Sequence, residues 1–208
     1  MPRLQTVFVF FLCLWMCGCT SMLRTETEQP AFYQLQPKQQ AVACEHSFER
    51  GLRVWDLATS APFNRTRMAV EDSQGEIVFS RETQWAEVPG VMVAEVLHRD
   101  LSQAEFFHPV IYGMPSVDTA FELNGRVHVF GCERSQDDSR AVLKVELRLI
   151  HLEENSEAVV HKTYTLRSAH FAPNKPSDFV RSMNHLVRKL SVQFQQDLCQ
   201  AAASFSRD

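Results

Sequence analysis

The sequence has few glycines and none of the short motifs that common catalytic sites require. Only seven glycines occur, and they form no phosphate-binding loop, dinucleotide fingerprint or Gly-x-Ser-x-Gly nucleophile elbow. The eight histidines and six cysteines include no His-x-x-x-His or Cys-x-x-Cys pair, which are common spacings for two metal ligands. We therefore expect the chain not to be an enzyme, and to need neither a metal nor a cofactor.

The sequence also lacks an excess of basic residues and a long apolar run. The chain has 21 basic and 25 acidic residues, so it lacks the cationic surface with which proteins neutralise nucleic-acid phosphates. We expect no nucleic-acid partner. A membrane-spanning helix needs about 20 apolar residues, whereas the run Val7–Met16 has about half that length. This run is too short to stay in a membrane as a helical span.

The N-terminal residues instead follow the plan of a secretory signal peptide. Arg3 supplies one positive charge before the apolar run, which ends in the letters LWMCGC. This ending resembles a bacterial lipobox, in which a peptidase cuts before a cysteine that carries diacylglycerol. The resemblance implies that residues 1–18 are a lipoprotein signal peptide and that Cys19 is the lipidation site. An ordinary secretory signal with an incidental Cys-Gly-Cys is the alternative.

The residues after the anchor predict a tether and then one domain. Residues 20–30 are almost all polar or charged and lack periodicity, so we expect residues 19–31 to form a flexible tether, in which these eleven residues reach about 35 Å. Residues 32–208 have the length of a single domain. Thr20, and not Asp, follows the anchor, which by the rule for enterobacterial lipoproteins implies the outer membrane. A lipid anchor with two or three acyl chains, such as palmitate, would be effectively permanent.

Three cysteines remain in the predicted domain, at positions 44, 132 and 199. A secreted chain folds where disulfides form, and three thiols allow one internal bridge at most. The sequence leaves open which pair forms, and whether any forms, because all three could be small buried apolar residues.

The periodicity of apolar residues predicts an α+β fold. Phe32–Leu35 and Leu52–Leu57 read as short strands, the latter half-buried because it alternates, and the turn Asp72–Gly75 separates two strands of a hairpin. Residues 91–104 have helical spacing. A stronger helical stripe follows Pro176 and consists of Phe179, Met183, Leu186, Val187, Leu190, Phe194 and Leu198.

Between the helices, three long runs alternate strictly and predict an antiparallel meander. The runs are 123–132, 143–149 and 159–167, joined by turns at 135–139 and 153–155. The apolar face is predicted to hold Leu143, Val145, Leu149, Val127, Val129, Leu147, Tyr164 and Leu166. The polar face is predicted to hold Arg126, His128, Glu146, Arg148, His161, Thr163 and Thr165. A mainly antiparallel sheet with two helices packed on one face satisfies this pattern.

Several of these features together resemble one family. They are the lipobox, an early aromatic pair followed by Leu35, the segment Pro62–Met68, the hairpin, and the block Trp85-Ala86-Glu87 before a helix. This set is similar to the PqiC-like ABC-type transport auxiliary lipoproteins. The bulky, charged last helix and Asn64-Arg65, where the family often has Asp-Arg, depart from the pattern.

The resemblance implies a non-catalytic auxiliary subunit of an intermembrane lipid transport system. Its expected partner is a periplasmic MCE-domain protein, with the lipoprotein at the outer-membrane end and facing the periplasm. The surface to test first for docking is the polar sheet face with Arg126, Glu146, Arg148 and His161, although plain solvation is the simpler explanation of these residues. Trp85 is expected to pack in the core. The cargo and the oligomeric state stay open.

Two other functions compete with this one. The first is an outer-membrane assembly lipoprotein, or one that regulates a cell-wall synthase, because some of these also place two helices on a small sheet. The second is an anchored hydrolase, for which the sequence offers no nucleophile and base.

Overall fold

A computed structural model describes residues 29–115, 117–152, 158–173 and 175–205 of the chain. The described residues form nine strands and two helices, which confirms the predicted α+β class with a mostly antiparallel, mixed sheet. The strands are β1 (Ala31–Tyr33), β2 (Leu52–Val54), β3 (Ala58–Thr59), β4 (Arg67–Glu71), β5 (Ile77–Trp85), β6 (Val110–Tyr112), β7 (Phe121–Arg134), β8 (Ser139–His151) and β9 (Ala158–Arg167). The helices are α1 (Pro89–Gln103) and α2 (Pro176–Phe205).

The predicted meander is present as β7, β8 and β9, which form the longest antiparallel ladders of the sheet. The alternation places Leu143, Val145, Leu147 and Leu149 of β8 in the core, where each is fully buried. Side chains of a strand alternate between its two faces, so the intervening Lys144, Glu146 and Arg148 lie on the opposite face. The acidic turn predicted at 153–155 lies outside the described residues.

The other edge of β7 pairs in turn with three short strands. β2, β3 and β4 run parallel to β7 at successive positions along it, so that one 14-residue strand organises the sheet. β4 and β5 form the predicted hairpin, β1 adds to β5, and β6 adds to β2. The side chain of Asp72 accepts hydrogen bonds from the backbone N–H groups of Gln74 and Glu76, which stabilises the hairpin turn.

A β-bulge in β7 makes the predicted core position of Val129 wrong. Val127 pairs with Val145 and Val129 pairs with Lys144, so His128 is an additional residue with no partner of its own on β8. An extra residue reverses the alternation beyond it. Phe130 therefore enters the core and is fully buried, whereas Val129 is only half-buried.

The prediction of one half-buried strand over Leu52–Leu57 is also wrong in part. β2 ends at Val54, and all three of its residues are buried, including Arg53. The Arg53 guanidinium forms an ion pair with Glu122 at 2.7 Å and donates a hydrogen bond to the carbonyl of Met114 at 3.1 Å. These partners compensate its desolvation, which the alternation of residue types could not reveal.

Both helices lie against the apolar side of the sheet, and α1 also contacts α2. Each has a proline at its first position, where the missing N–H costs no hydrogen bond. All seven residues of the predicted stripe on α2 are buried, as are Val93, Val96, Leu97 and Leu101 of α1. The helices are joined by a buried hydrogen bond of 2.7 Å that Ser191 donates to Asp100.

A segment without regular structure runs along α2 and is held there by polar contacts. The amide of Gln36 donates to Asn184, the amide of Val42 donates to the Gln195 side chain, and Gln195 donates to the carbonyl of Gln40. An extended chain over residues 36–44 spans about 26 Å, at about 3.3 Å per residue. The stretch of α2 from Asn184 to Cys199 rises about 22 Å, so the segment is long enough to follow it. We call residues 36–44 the strap.

The strap ends in a disulfide, which decides the open question of cysteine pairing. Cys44 is bonded to Cys199 of α2, with Cα atoms 5.8 Å apart. Cys132 is a buried free thiol in β7, and burial raises its pKa. The disulfide joins a segment near the start of the described chain to the last turns of α2, across a sequence separation of 155 residues.

Candidate interaction surface

The face of β7, β8 and β9 that points away from the helices is the candidate surface, and we call it the polar sheet face. The strand register places Arg126, Glu146 and Thr163 side by side, and places Arg148 beside His161 in the next row. Arg126, Arg148 and His161 are exposed, and Glu146 is half-buried between them. All four residues expected at this surface from the sequence therefore lie together on it.

Glu146 is the centre of a hydrogen-bonded cluster on this face. Its Oε1 accepts hydrogen bonds from Arg148 Nε at 2.7 Å and from His161 Nε2 at 2.8 Å. Its Oε2 lies 3.2 Å from His128 Nε2. Hydrogen bonds from Arg148, and secondarily from the two histidines, lower the pKa of Glu146 to about 2. The carboxylate thus stays ionised and holds three side chains in fixed positions.

His128 joins this cluster from β7. His128 follows the buried Val127 and lies on the polar sheet face, as the alternation predicts, and the bulge changes the alternation only after it, at Val129. The two histidines do converge on one carboxylate, but the Arg148 guanidinium bonds the same oxygen as His161. A cation in that position disfavours binding of a second cation. Among the described residues, no group of three or more histidine, cysteine or acidic side chains is arranged to hold a metal ion.

A second charged cluster on the same face was not anticipated from the sequence. Glu133 Oε2 accepts a hydrogen bond from Arg140 Nε at 2.6 Å, and Glu133 Oε1 lies 3.5 Å from Arg167 Nη2. Glu133 and Arg140 pair across the β7–β8 ladder, while Arg167 comes from the end of β9. The register of both hairpins must be known before these three residues can be placed together.

Two cations of the polar sheet face lack a counter-charge. Arg126 and Lys144 are both exposed, and neither forms an ion pair with any residue that the structure describes. Arg148 and His161 share the single carboxylate of Glu146. The middle of the face therefore has an excess of positive charge, even though the whole chain has a net charge of −4. Such a surface is suited to contact with an acidic protein surface.

The opposite face is occupied by the protein itself. Lys162 of β9 forms an ion pair with Asp197 of α2 at 2.8 Å, and the Tyr164 hydroxyl donates to the same carboxylate. Burial and the nearby Asp197 raise the pKa of Tyr164 well above its ordinary value. These contacts attach α2 to β9, so within the described part of the chain α2 covers the opposite face of the meander and leaves the polar sheet face uncovered.

The predicted lipidation site, Cys19, lies outside the described residues, as does nearly all of the tether predicted over 19–31. Neither helix in the described part of the chain is long and apolar enough to cross a membrane.

Comparisons with known proteins identify the family. The model of the ABC-type transport auxiliary lipoprotein component matches residues 33–194, which is most of the chain. This chain belongs to that family. A protein from Xanthomonas campestris of the DUF330 family has a similar fold, with a TM-score of 0.74, 13% identity, and coverage of 86% of this chain and 100% of the other. A second solved structure, an uncharacterized protein, has a TM-score of 0.62 and 18% identity, covering 82% and 99% of the two chains. The curated proteins gave no match.

The matched region of this auxiliary lipoprotein includes the polar sheet face and the Trp85 block, but ends before Cys199. Trp85 is buried and packs edge-on against Phe130 and Phe179, with ring centroids 5.2 and 5.6 Å away. The core role expected for Trp85 is therefore confirmed. Membership makes the protein a membrane-anchored lipoprotein associated with an ABC-type transport system, a role that suggests a subunit without its own catalysis.

Proposed function

We propose that this auxiliary lipoprotein is a non-catalytic docking subunit of an intermembrane lipid transport system. In this proposal Cys19 carries the acyl chains that hold the protein on the periplasmic side of the outer membrane. The domain then binds a periplasmic MCE-domain protein that extends from the inner-membrane transporter. The family membership supports a lipid anchor, and the Cys44–Cys199 disulfide supports a position outside the cytoplasm, because disulfides form in oxidising compartments.

The observation that carries the docking proposal is the excess positive charge of the polar sheet face. Glu146 fixes Arg148 and His161, so part of the charged surface is ordered before any partner arrives. Arg126 and Lys144 are exposed beside this cluster without counter-charges among the described residues. A preorganised charged surface lowers the entropic cost of association and speeds encounter with an acidic partner.

The docking proposal is tested by reversing the two unpaired charges. Full-length lipoprotein with Arg126→Glu and Lys144→Glu is placed in membranes and cross-linked to a periplasmic MCE-domain protein from the same organism. We expect cross-linking to the parent and a loss of about tenfold or more for the double variant, with the parent complex weakening as salt increases. The control is Lys189→Glu, which reverses an exposed charge on α2 and should bind like the parent.

Two results would contradict this proposal. Equal cross-linking of the parent and the double variant would exclude the polar sheet face as the docking surface. No complex with the parent, either in membranes or at tens of micromolar in solution, would remove the MCE-domain protein as a partner. Co-purification would then test the competing role with an outer-membrane assembly machine or a cell-wall synthase.

The anchor is tested separately through the lipidated cysteine. Cells that express the Cys19→Ala variant are labelled with an alkyne analogue of palmitate, and the protein is then partitioned between a detergent phase and an aqueous phase. Label and protein are measured in both phases. We expect loss of both label and detergent partitioning, because the thiol that carries diacylglycerol is gone. Cys17→Ala is the matched control and should keep the label. Undiminished labelling of Cys19→Ala would refute the assignment of the anchor.

A further inference from the structure

A cavity of about 180 Å³ lies at the beginning of α2, on the apolar side of the sheet. Its walls come from the β4–β5 hairpin, the end of β7, the start of β8 and the first turn of α2. Met68, Val70, Phe171 and Phe179 form the apolar part of its lining. An apolar cavity of about 150 Å³ is large enough for benzene in another protein, so the end of a short hydrocarbon chain fits here.

Two polar atoms of this cavity lack strong hydrogen-bond partners, whereas the hydroxyls of Ser80 and Thr83 bond to each other at 2.7 Å. Ser139 is 1% exposed, and its hydroxyl has no hydrogen-bond partner among the described residues apart from a contact with the Cys132 thiol. The nearby Cys132 thiol is only a weak hydrogen-bonding group. The buried Nε of Arg134 is also without a partner in the part of the chain that the structure describes. Buried polar atoms are nearly always satisfied in folded proteins, so two unsatisfied atoms in one cavity indicate a bound group.

The charges at the cavity indicate the sign of that group. Arg134 and the exposed Lys175 both line it, and neither forms an ion pair with any described residue. Glu82 is the one carboxylate in the lining, so the two cations outnumber it. The cavity therefore combines an apolar interior with a net positive rim. Ordered water could hydrate the polar atoms and the rim charges, but it would gain nothing from the apolar walls, which an apolar chain would contact.

We propose that this cavity binds an amphipathic anion, a short apolar chain that ends in a carboxylate or phosphate. The chain contacts Val70, Phe171 and Phe179, while the head group accepts hydrogen bonds from Arg134, Lys175 and the Ser139 hydroxyl. Free fatty acids and phospholipids share this chemistry. The cavity lies on the helix side of the sheet, so ligand binding and docking through the polar sheet face can succeed or fail separately.

The test is calorimetric titration of the full-length lipoprotein, kept soluble in an amphipathic polymer, with four eight-carbon probes. Octanoate, octyl phosphate and dioctanoylphosphatidylglycerol carry an anionic head group, and octanol does not. We expect saturable binding of at least one anion and binding of octanol about tenfold weaker or worse, because charge-assisted hydrogen bonds are lost. Preference for octanoate identifies a fatty-acid site, and preference for either phosphate probe identifies a phospholipid site.

Variants connect this binding to the cavity. Lys175→Gln and Arg134→Gln should each weaken anion binding about tenfold, and Val70→Trp should abolish it by filling the cavity. Lys189→Gln, which removes an exposed charge of α2 outside the cavity lining, should have no effect. Because Lys175 is exposed, its variant keeps the fold and remains informative if Val70→Trp unfolds. Equal binding of octanol and octanoate, no saturable binding of any anion, or unchanged binding by both charge variants would overturn the proposal.

Discussion

Removal of the Cys44–Cys199 disulfide should destabilise the domain strongly, because this bridge closes most of the chain into one loop. The sequence separation is 155 residues. In the chain-entropy description, a bridge that closes a loop of this length lowers the entropy of the unfolded state enough to contribute about 5 kcal/mol at 25 °C. Measured contributions are commonly 2–4 kcal/mol, so we expect the double variant Cys44→Ser/Cys199→Ser to lose about 3–5 kcal/mol of unfolding free energy.

Urea unfolding, followed by tryptophan fluorescence, measures this loss. Trp85 is buried against Phe130 and Phe179 and therefore reports disruption of the core. A loss of 4 kcal/mol corresponds to a midpoint lower by about 2 M urea, for a slope of about 2 kcal/mol/M. Reductant should lower the parent midpoint equally and leave the double variant unchanged, because Cys132 is a free thiol.

The outcome also distinguishes global from local stabilisation. The strap keeps its hydrogen bonds from Val42 to Gln195 and from Gln195 to Gln40 when the bridge is removed. If the midpoint of the double variant falls by less than about 0.5 M urea, the reasoning from loop closure is refuted. Such a result would mean that the strap detaches without affecting the sheet, or that the unfolded chain is already compact.

Two further predictions concern the helix contact and the charged cluster. Leu190→Asp should cost several kcal/mol of unfolding free energy and lower the melting temperature sharply, because Leu190 is 0% exposed. Lys189→Asp, at the exposed neighbouring position, should melt close to the parent. Similar melting of both variants would contradict the packing of α2. For Glu146, whose folded pKa of about 2 lies below its ordinary value of 4.5, the stabilising contribution is complete above pH 4.5 and is lost as the pH falls through 2. The free energy of unfolding, measured from pH 6 to pH 2, should therefore change less with pH for Glu146→Gln than for the parent. The control Glu82→Gln should follow the parent. If Glu146→Gln also follows the parent, the cluster adds no pH-dependent stability.

The sequence by itself determined the elements whose side chains repeat with a local period. The stripe on α2 and the alternation of Leu143, Val145, Leu147 and Leu149 each report which side of one element faces the core. The polar sheet face followed from the same alternation, because the residues between buried ones must point outward. The alternation alone therefore predicts that Arg126, Glu146, Arg148 and His161 share one face, and the strand register confirms it.

Only the tertiary structure decided the features that depend on contacts between distant residues. The bulge at His128 shifts the register of β7 by one residue, and a pattern of apolar residues does not reveal such an insertion. The burial of Arg53 depends on Glu122 and Met114, which reach it only after the chain has folded. The choice of Cys199 as the partner of Cys44 depends on the path of the strap along α2. Local periodicity reports the direction of side chains within one element, whereas register, pairing and cavities arise from the way separate elements meet.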